Sequence, residues 1–319
     1  MGISAATLPR IAITIGDPAG VGPELALKAC ADGALTRVCR PVAVGSRALL
    51  ARVARKLKLR LPAEMVDVSV PGFTPASVVP GRVQAACGAA SARWVEVAVD
   101  GCRSGEFAAM VTCPLNKAAL HAGGVPFPGH TELLAARCGV SGEAMLMYDR
   151  RLAVVLATCH QSLASVPGAL TTERMVDVAR LLAQALRPLR RREPRLAVLG
   201  LNPHAGEDGL FGDEDQRLVA PAVARLRADG FDVSGPLPPD TAFTPANRKR
   251  FDGFVCCYHD QGLIPFKALC FDDGVNVTLG LPIVRTSVDH GTAYDIAWRG
   301  IASHRSLLSA VRLAIRLAR

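Results

Sequence analysis

Residues 195–207 read Arg-Leu-Ala-Val-Leu-Gly-Leu-Asn-Pro-His-Ala-Gly-Glu, an aliphatic run that breaks at glycine and reaches His204 among turn-forming residues. A short apolar run bounded by turn residues reads as a buried β-strand followed by a loop. The pattern recurs at 152–161, Leu-Ala-Val-Val-Leu-Ala-Thr-Cys-His-Gln, and at 253–262, Gly-Phe-Val-Cys-Cys-Tyr-His-Asp-Gln-Gly, so that His160 and His259 also follow strands. Strand ends in α/β proteins are where loops converge to build sites. Neutral imidazole is the commonest ligand for divalent transition metals. A single strand-end histidine is more often structural. Three among the chain's seven histidines suggest one metal assembled across the fold, with coordination positions left open for a substrate.

Working outward, strand-like runs (RIAITIG, PVAVG, FAAMVTC, AMLMYD, LAVVLATC, RLAVLGL, GFVCCY) alternate with segments of helical spacing such as ELALKACADG, AASARWVEVAVDGC and MVDVARLLAQAL. Strand and helix in alternation mean an α/β fold with a parallel-rich sheet covered on both faces. Residues 273–291, DGVNVTLGLPIVRTSVDHG, hold two short extended segments around Gly-Leu-Pro, so an antiparallel or irregular insertion is expected there. At 319 residues, half of them apolar, two domains are expected.

The bulk numbers narrow the partners. No apolar stretch approaches the roughly 18 residues of a spanning helix, and the N-terminus lacks the order of a signal peptide, so no membrane partner and a cytoplasmic location are expected. Ten cysteines sit in apolar segments without a CxxC pair, as reduced buried thiols do. The net charge of +9 lies largely in arginine-rich helix faces, and aromatics are only 5%, so no nucleic-acid partner is expected; a basic surface favours an anionic small substrate.

Four further constellations could carry chemistry. The turn Gly16-Asp17-Pro18-Ala19-Gly20-Val21-Gly22 precedes a helix and could meet an anion, although a tight turn explains it equally well, and Asp17 is the residue such a turn least needs. In Pro128-Gly129-His130-Thr131-Glu132, Thr131 reads as an N-cap and His130 as an anion clamp beside free N–H groups; an ordinary capped helix with an exposed imidazole is the alternative. Lys267, Asn276 and Arg285, read as lying on strands among apolar neighbours, would need an anionic partner such as phosphate if they point inward. Otherwise Lys267 snorkels and Arg285 pairs with Asp289. Residues 289–297, Asp-His-Gly-Thr-Ala-Tyr-Asp-Ile-Ala, read as a glycine turn opening a short helix that could hold a nucleotide.

Taken together, ITIGDPAGVGPELALKA, VTCPLNKAAL, PFPGHTELLA, LNPHAGEDGLFGDED, GPLPPDTAF, YHDQGLIPFK and GVNVTLGLPIVRTSVDHGTAYDIA resemble, in order and over nearly the whole length, the metal-dependent 4-hydroxythreonine-4-phosphate dehydrogenases of vitamin B6 biosynthesis. The resemblance implies two α/β/α domains with a cleft between them, similar to isocitrate and isopropylmalate dehydrogenases, with limits at 1–122 plus 300–319 and at 123–299. It implies His160, His204 and His259 as ligands of one divalent ion (zinc, magnesium, cobalt or manganese) and substrate contacts from His130, Thr131, Lys267, Asn276 and Arg285. It further implies catalytic roles for Lys267 and Asp240, a place for Asp17 near the site, and an NAD or NADP loop at His290, Gly291, Thr292 and Asp295. A homodimer whose metal site draws on both subunits belongs to the same expectation. Two departures from the family loop are Trp298, where glycine is usual, and Ser303, where isocitrate-type loops carry asparagine.

The reaction so implied is oxidation of 4-phosphooxy-L-threonine at C3 with decarboxylation to 3-amino-2-oxopropyl phosphate. Related enzymes acting on 4-phospho-D-threonate or 4-phospho-D-erythronate share the metal triad, so that triad does not separate them. Relatives that oxidise cyclic dihydrodiols have no phosphate for the basic residues to hold. A non-catalytic metal- or phosphate-binding protein would not need the NAD-like loop beside the metal triad.

Overall fold

A computed structural model describes residues 8–319, and its contacts divide the chain into two units, Met1–Ser141 with Leu281–Arg319, and Gly142–Gly280. In the first unit the strands β1 (Arg10–Thr14), β2 (Arg40–Gly45), β3 (Glu64–Asp67), β4 (Ala109–Thr112) and β11 (Arg285–Val288) lie in the order β3-β2-β1-β4-β11, all parallel. Ile11, Ala12 and Ile13 are fully buried, as a strand covered on both faces requires. The helix Arg305–Leu317 buries Leu307, Ala310, Val311 and Ala314 and turns Arg312 and Arg316 outward, the solvated basic face its sequence suggests.

Within this unit the helix Ala85–Arg103 packs closely on the helix Lys117–Ala122 through Gly88. A methyl group at Gly88 would overlap the backbone carbonyl of Ala119. Alanine's better helix propensity, about 1 kcal/mol, is outweighed by overpacking against rigid backbone, which costs up to about 3 kcal/mol. Gly88→Ala is therefore expected to lower stability by about 1–2 kcal/mol, read as a lower urea midpoint; a midpoint at or above wild type would contradict this packing.

The second unit holds β5 (Ala144–Asp149), β6 (Leu152–Leu156), β7 (Leu196–Leu199), β8 (Val233–Leu237), β9 (Gly253–Cys256) and β10 (Val275–Leu279) in the order β10-β5-β6-β9-β7-β8. β5 runs antiparallel to both β10 and β6, whereas β6, β9, β7 and β8 are mutually parallel. The antiparallel element expected near the C-terminus is thus β10 beside the β5–β6 hairpin. Val154, Leu156, Ala197, Leu199, Phe254, Cys256 and Phe266 form the core on one face of this sheet.

Three local expectations need correction. The helix starting at His130 and the strand β11 have their contacts in the first unit, so the units divide at 141/142 and 280/281, whereas the resemblance put the limits at 122/123 and 299/300. Lys267 lies in the last turn of the helix His259–Cys270, not on a strand; Pro265 interrupts that helix without ending it. Gly129, not Thr131, is the N-cap of the helix His130–Cys138, which makes no side-chain cap bond. All ten cysteines are free, and among the described residues no helix is long and apolar enough to cross a membrane.

Candidate active site

Neighbouring strands lie about 4.8 Å apart, so loops leaving the carboxyl ends of β6, β9 and β7 are adjacent. Those are the loops that carry His160, His259 and His204. A chain of hydrogen bonds ties them together: Thr158 Oγ1 donates to the Cys257 carbonyl (2.8 Å), Cys257 N to Gln261 Oε1 (2.7 Å), and Gln261 Nε2 to the Gly200 carbonyl (2.8 Å). Thr158 and Gln261 are buried, so each bond is made where an unmet polar group would cost about 1–3 kcal/mol.

The rings of His160 and His259 stand 5.7 Å apart, tilted by 44°. Asp260 Oδ1 lies 2.7 Å from His259 Nδ1, an arrangement that favours the proton on Nδ1 and leaves Nε2 as the electron-pair donor. His204 opens a turn in which residues 204–208 all have positive φ, from 41° to 83°. Such conformations cost about 1–2 kcal/mol for each non-glycine residue and persist only where the surroundings enforce them. Here the buried Asp215 carboxylate does so, accepting from Leu201 N (2.6 Å) and Asn202 N (3.0 Å), while Asn202 Nδ2 donates to Glu214 (2.7 Å). Asp260, Gln261 and Asp215 brace the histidine loops and were not singled out in the sequence reading. The signal available was polar residues inside the same blocks as the histidines, Asp260 and Gln261 directly beside His259 and Asp215 at the end of the His204 block.

Within one chain, no group of three or more His, Cys, Asp or Glu side chains that could hold a metal is gathered among the described residues. His160 and His259 come together; His204, beside Phe211 on the adjoining loop, does not complete a group with them. Asp240 sits in the short helix Pro239–Ala242, which packs on the left-handed turn. The Lys267 ammonium lies 5.8 Å from the Phe271 ring centroid, and Asn276 on β10 donates to Met145 Sδ (3.1 Å).

The first unit contains a different constellation. Arg285 opens β11 opposite Met110 of β4 and donates from Nη2 to Thr112 Oγ1 (2.7 Å). Its side chain is buried, which pulls its pKa down to about 9, so it remains cationic at neutral pH. His130 has its Nε2 buried and without a hydrogen-bond partner among the described residues. Burial, and then the charge of Arg285, hold His130 well below its ordinary pKa of 6.5. A neutral imidazole facing a buried guanidinium is an arrangement that an anion completes. Thr112 is one partner of the Arg285 guanidinium, and Asp289 N donates to Ser306 Oγ (3.4 Å).

The His130 shift fixes a pH dependence. The unfolded chain takes up this proton near pH 6.5 and the folded one only at lower pH, so the stability it contributes is complete above 6.5 and lost as pH falls below it. Between about pH 6.5 and 5, the thermal midpoint of the wild type is expected to fall more steeply than that of His130→Asn. Equal slopes in calorimetry would show that His130 is not held neutral.

Loops 16–22 and 289–300 are locked together. Asp17 accepts from Ala19 N (2.8 Å) and from the Tyr294 hydroxyl (2.8 Å), and Val21 N donates to the Thr292 carbonyl (3.0 Å). Asp17 therefore anchors one loop to the other. Glu24 accepts from Gly300 N, Ala302 N and Lys28 Nζ, anchoring the far end. Trp298 adopts φ 59°, the conformation for which glycine is the ordinary choice. Its cost is offset by burial of the indole, a hydrogen bond from Nε1 to the Pro18 carbonyl (3.0 Å) and the Arg52 guanidinium 4.9 Å from its ring. His290, Gly291 and Asp295 remain exposed on this anchored loop, with Thr292 half-buried; only a single 3-10 turn, Tyr294–Ile296, follows the glycine.

Against proteins of known kind, the chain is 47% identical to the 4-hydroxythreonine-4-phosphate dehydrogenase of Desulfosudis oleivorans over 96% of this chain and 95% of that protein. It is 42% identical to the D-threonate 4-phosphate dehydrogenase of Pectobacterium atrosepticum, over 97% and 99% respectively. The crystal structure of 4-hydroxythreonine-4-phosphate dehydrogenase from Klebsiella pneumoniae superposes with a TM-score of 0.87 at 42% identity, over 98% of this chain and all of that one. The family model described as pyridoxal phosphate biosynthetic protein PdxA matches residues 37–314, and this chain belongs to that family.

Proposed function

We propose that the protein oxidises 4-phosphooxy-L-threonine at C3 with NAD or NADP as acceptor, decarboxylating it to 3-amino-2-oxopropyl phosphate. The observation that carries this reading is the buried Arg285 cation beside the neutral His130, a pair suited to a phosphate dianion. Thr131, in the first turn of the same helix, adds a hydroxyl and a free backbone N–H to the phosphate contacts. Lys267 and Asn276 are assigned to the rest of the substrate. Dehydrogenation of phosphorylated hydroxy acids is also what the names of the relatives describe.

His160, His204 and His259 are the residues that would hold a divalent ion; their neutral imidazoles, one already oriented by Asp260, suit zinc, cobalt or manganese, and magnesium if oxygen ligands are added. Such an ion would lower the pKa of the substrate hydroxyl and stabilise negative charge as carbon dioxide leaves. Lys267 and Asp240 are the groups assigned to proton transfer. His290, Gly291, Thr292 and Asp295 would bind the dinucleotide, on a loop whose rigidity comes from Asp17 and Glu24.

Because His204 does not complete a group with His160 and His259 among the described residues of one chain, a homodimer completing the metal site is part of the proposal. Ile264 and Phe271, 67% and 74% exposed in and just after the helix that carries His259, are large apolar side chains that a partner subunit would cover. A cytoplasmic location fits ten free cysteines.

The D-threonate 4-phosphate dehydrogenase at 42% identity gives a second reading, with the same residues acting on 4-phospho-D-threonate. NADH formation measured on both substrates separates them. A kcat/KM at least tenfold higher for phosphooxythreonine is expected; the reverse order would favour the second reading, and formation of neither NADH from NAD nor NADPH from NADP with either substrate would refute both.

A further inference from the structure

The second unit has another charged feature, at the amino ends of β6, β7 and β9, opposite to the histidine edge. Those strands are four or five residues long, which separates the two edges by roughly 15 Å. A cavity of about 260 Å³ opens there, with Arg150, Arg190, Arg192, Arg195, Arg248 and Lys249 among its lining residues. The sequence alone reads this arginine-rich run as a solvated helix face. The fold instead turns it, with the β5–β6 hairpin tip and the end of the helix Pro245–Arg250, into one concavity.

Part of that charge is already answered. Asp252, 6% exposed at the cavity wall, receives Arg192 (2.9 Å) and Arg195 N (2.8 Å) and lies 3.3 Å from Arg190 Nε. Arg151 is held separately by Asp149 (2.8 Å). Arg190 and the Arg248–Lys249 pair also lie in the last turns of their helices, where the dipole favours cations. Two helix ends at about half a charge each, together with Asp252, still leave roughly four positive charges without compensation. Arg150 and Lys249, exposed at the rim, pair with no carboxylate among the described residues. A concave cluster of one sign focuses its field into the cavity and raises the local concentration of counter-ions.

The geometry points to a second anion site here, separate from the reaction and built for a compact diphosphate. A single phosphate would neutralise about half of the excess charge, whereas a diphosphate matches it and offers enough oxygens for several guanidinium forks. The inference does not depend on the proposed reaction.

Calorimetric titration of the full chain with inorganic pyrophosphate, orthophosphate and ADP tests it. Pyrophosphate is expected to bind at least tenfold more tightly than orthophosphate, and the double charge reversal Arg150→Glu with Lys249→Glu to weaken it at least tenfold. Both positions are exposed, so this variant should fold as wild type, which its thermal midpoint checks. Arg285→Met and His204→Asn are expected to bind pyrophosphate as wild type does, separating this cavity from the candidate active site. ADP bound as tightly as pyrophosphate and weakened as much by the charge reversal would make a nucleotide the source of the diphosphate, and ADP binding that is weaker or indifferent to the reversal a free diphosphate; both support the site. Pyrophosphate binding no tighter than orthophosphate, or unchanged in the charge-reversed variant, would overturn it.

Discussion

Replacing His204 by asparagine is expected to cut turnover by about three orders of magnitude, the kinetic equivalent of losing several kcal/mol of transition-state stabilisation by a bound ion. Stability should move by less than about 0.5 kcal/mol, because His204 is exposed and asparagine is one of the few residues that tolerates its left-handed backbone. Alanine is the poorer choice: it removes the imidazole but adds strain of about 1 kcal/mol at φ 53°, mixing a chemical effect with a structural one. Steady-state NADH formation together with a thermal midpoint checks both halves. An active His204→Asn protein would remove this residue from the metal set.

Arg285→Met is the second large effect, and its two readouts move in different directions. A charge-assisted contact to phosphate from a buried arginine is worth about 2–5 kcal/mol, so KM for the phosphorylated substrate should rise at least about 30-fold. The contact exists before the transition state as well as in it, so the loss appears chiefly in KM. Stability should stay level or rise, since the variant relieves the burial of a guanidinium, against the loss of the bond to Thr112, worth about 1 kcal/mol. The same change lifts the charge that depresses His130, so the imidazole pKa should move upward, readable by NMR titration. An unchanged KM with a lowered thermal midpoint would make Arg285 a structural residue.

How far these features can be read from sequence depends on whether they are local. The runs recognised as strands all lie in the sheets, because each is buried on both faces and so is continuously apolar. β3 and β8, Glu64–Asp67 and Val233–Leu237, escape that reading: they sit at the outer ends of the strand order, half-buried, and β8 carries Gly235-Pro236. The strand-end position of His160, His204 and His259 is legible for the same local reason. The left-handed turn at 204–208 is not, since it runs against the preference of four non-glycine residues and is imposed by Asp215 from outside the turn. The partnership of His130 with Arg285 and the Asp17–Tyr294 bond join segments remote in sequence, and only the parallel order β1-β4-β11 brings those segments together. The failed N-cap at Thr131 is a shift of register by two residues: Gly129, extended, serves in its place.

The three histidines at the carboxyl ends of β6, β9 and β7 are proposed to share one catalytic ion. Bound divalent metal per subunit, measured on wild type and on His160→Asn, His204→Asn and His259→Asn beside NADH formation, tests it most directly. One ion per subunit in the wild type, with metal and activity lost together in every variant and in chelated wild type restored by re-adding metal, is the result predicted. Full activity in a chelated, metal-free protein, or a histidine variant that keeps both its ion and its turnover, would contradict the claim.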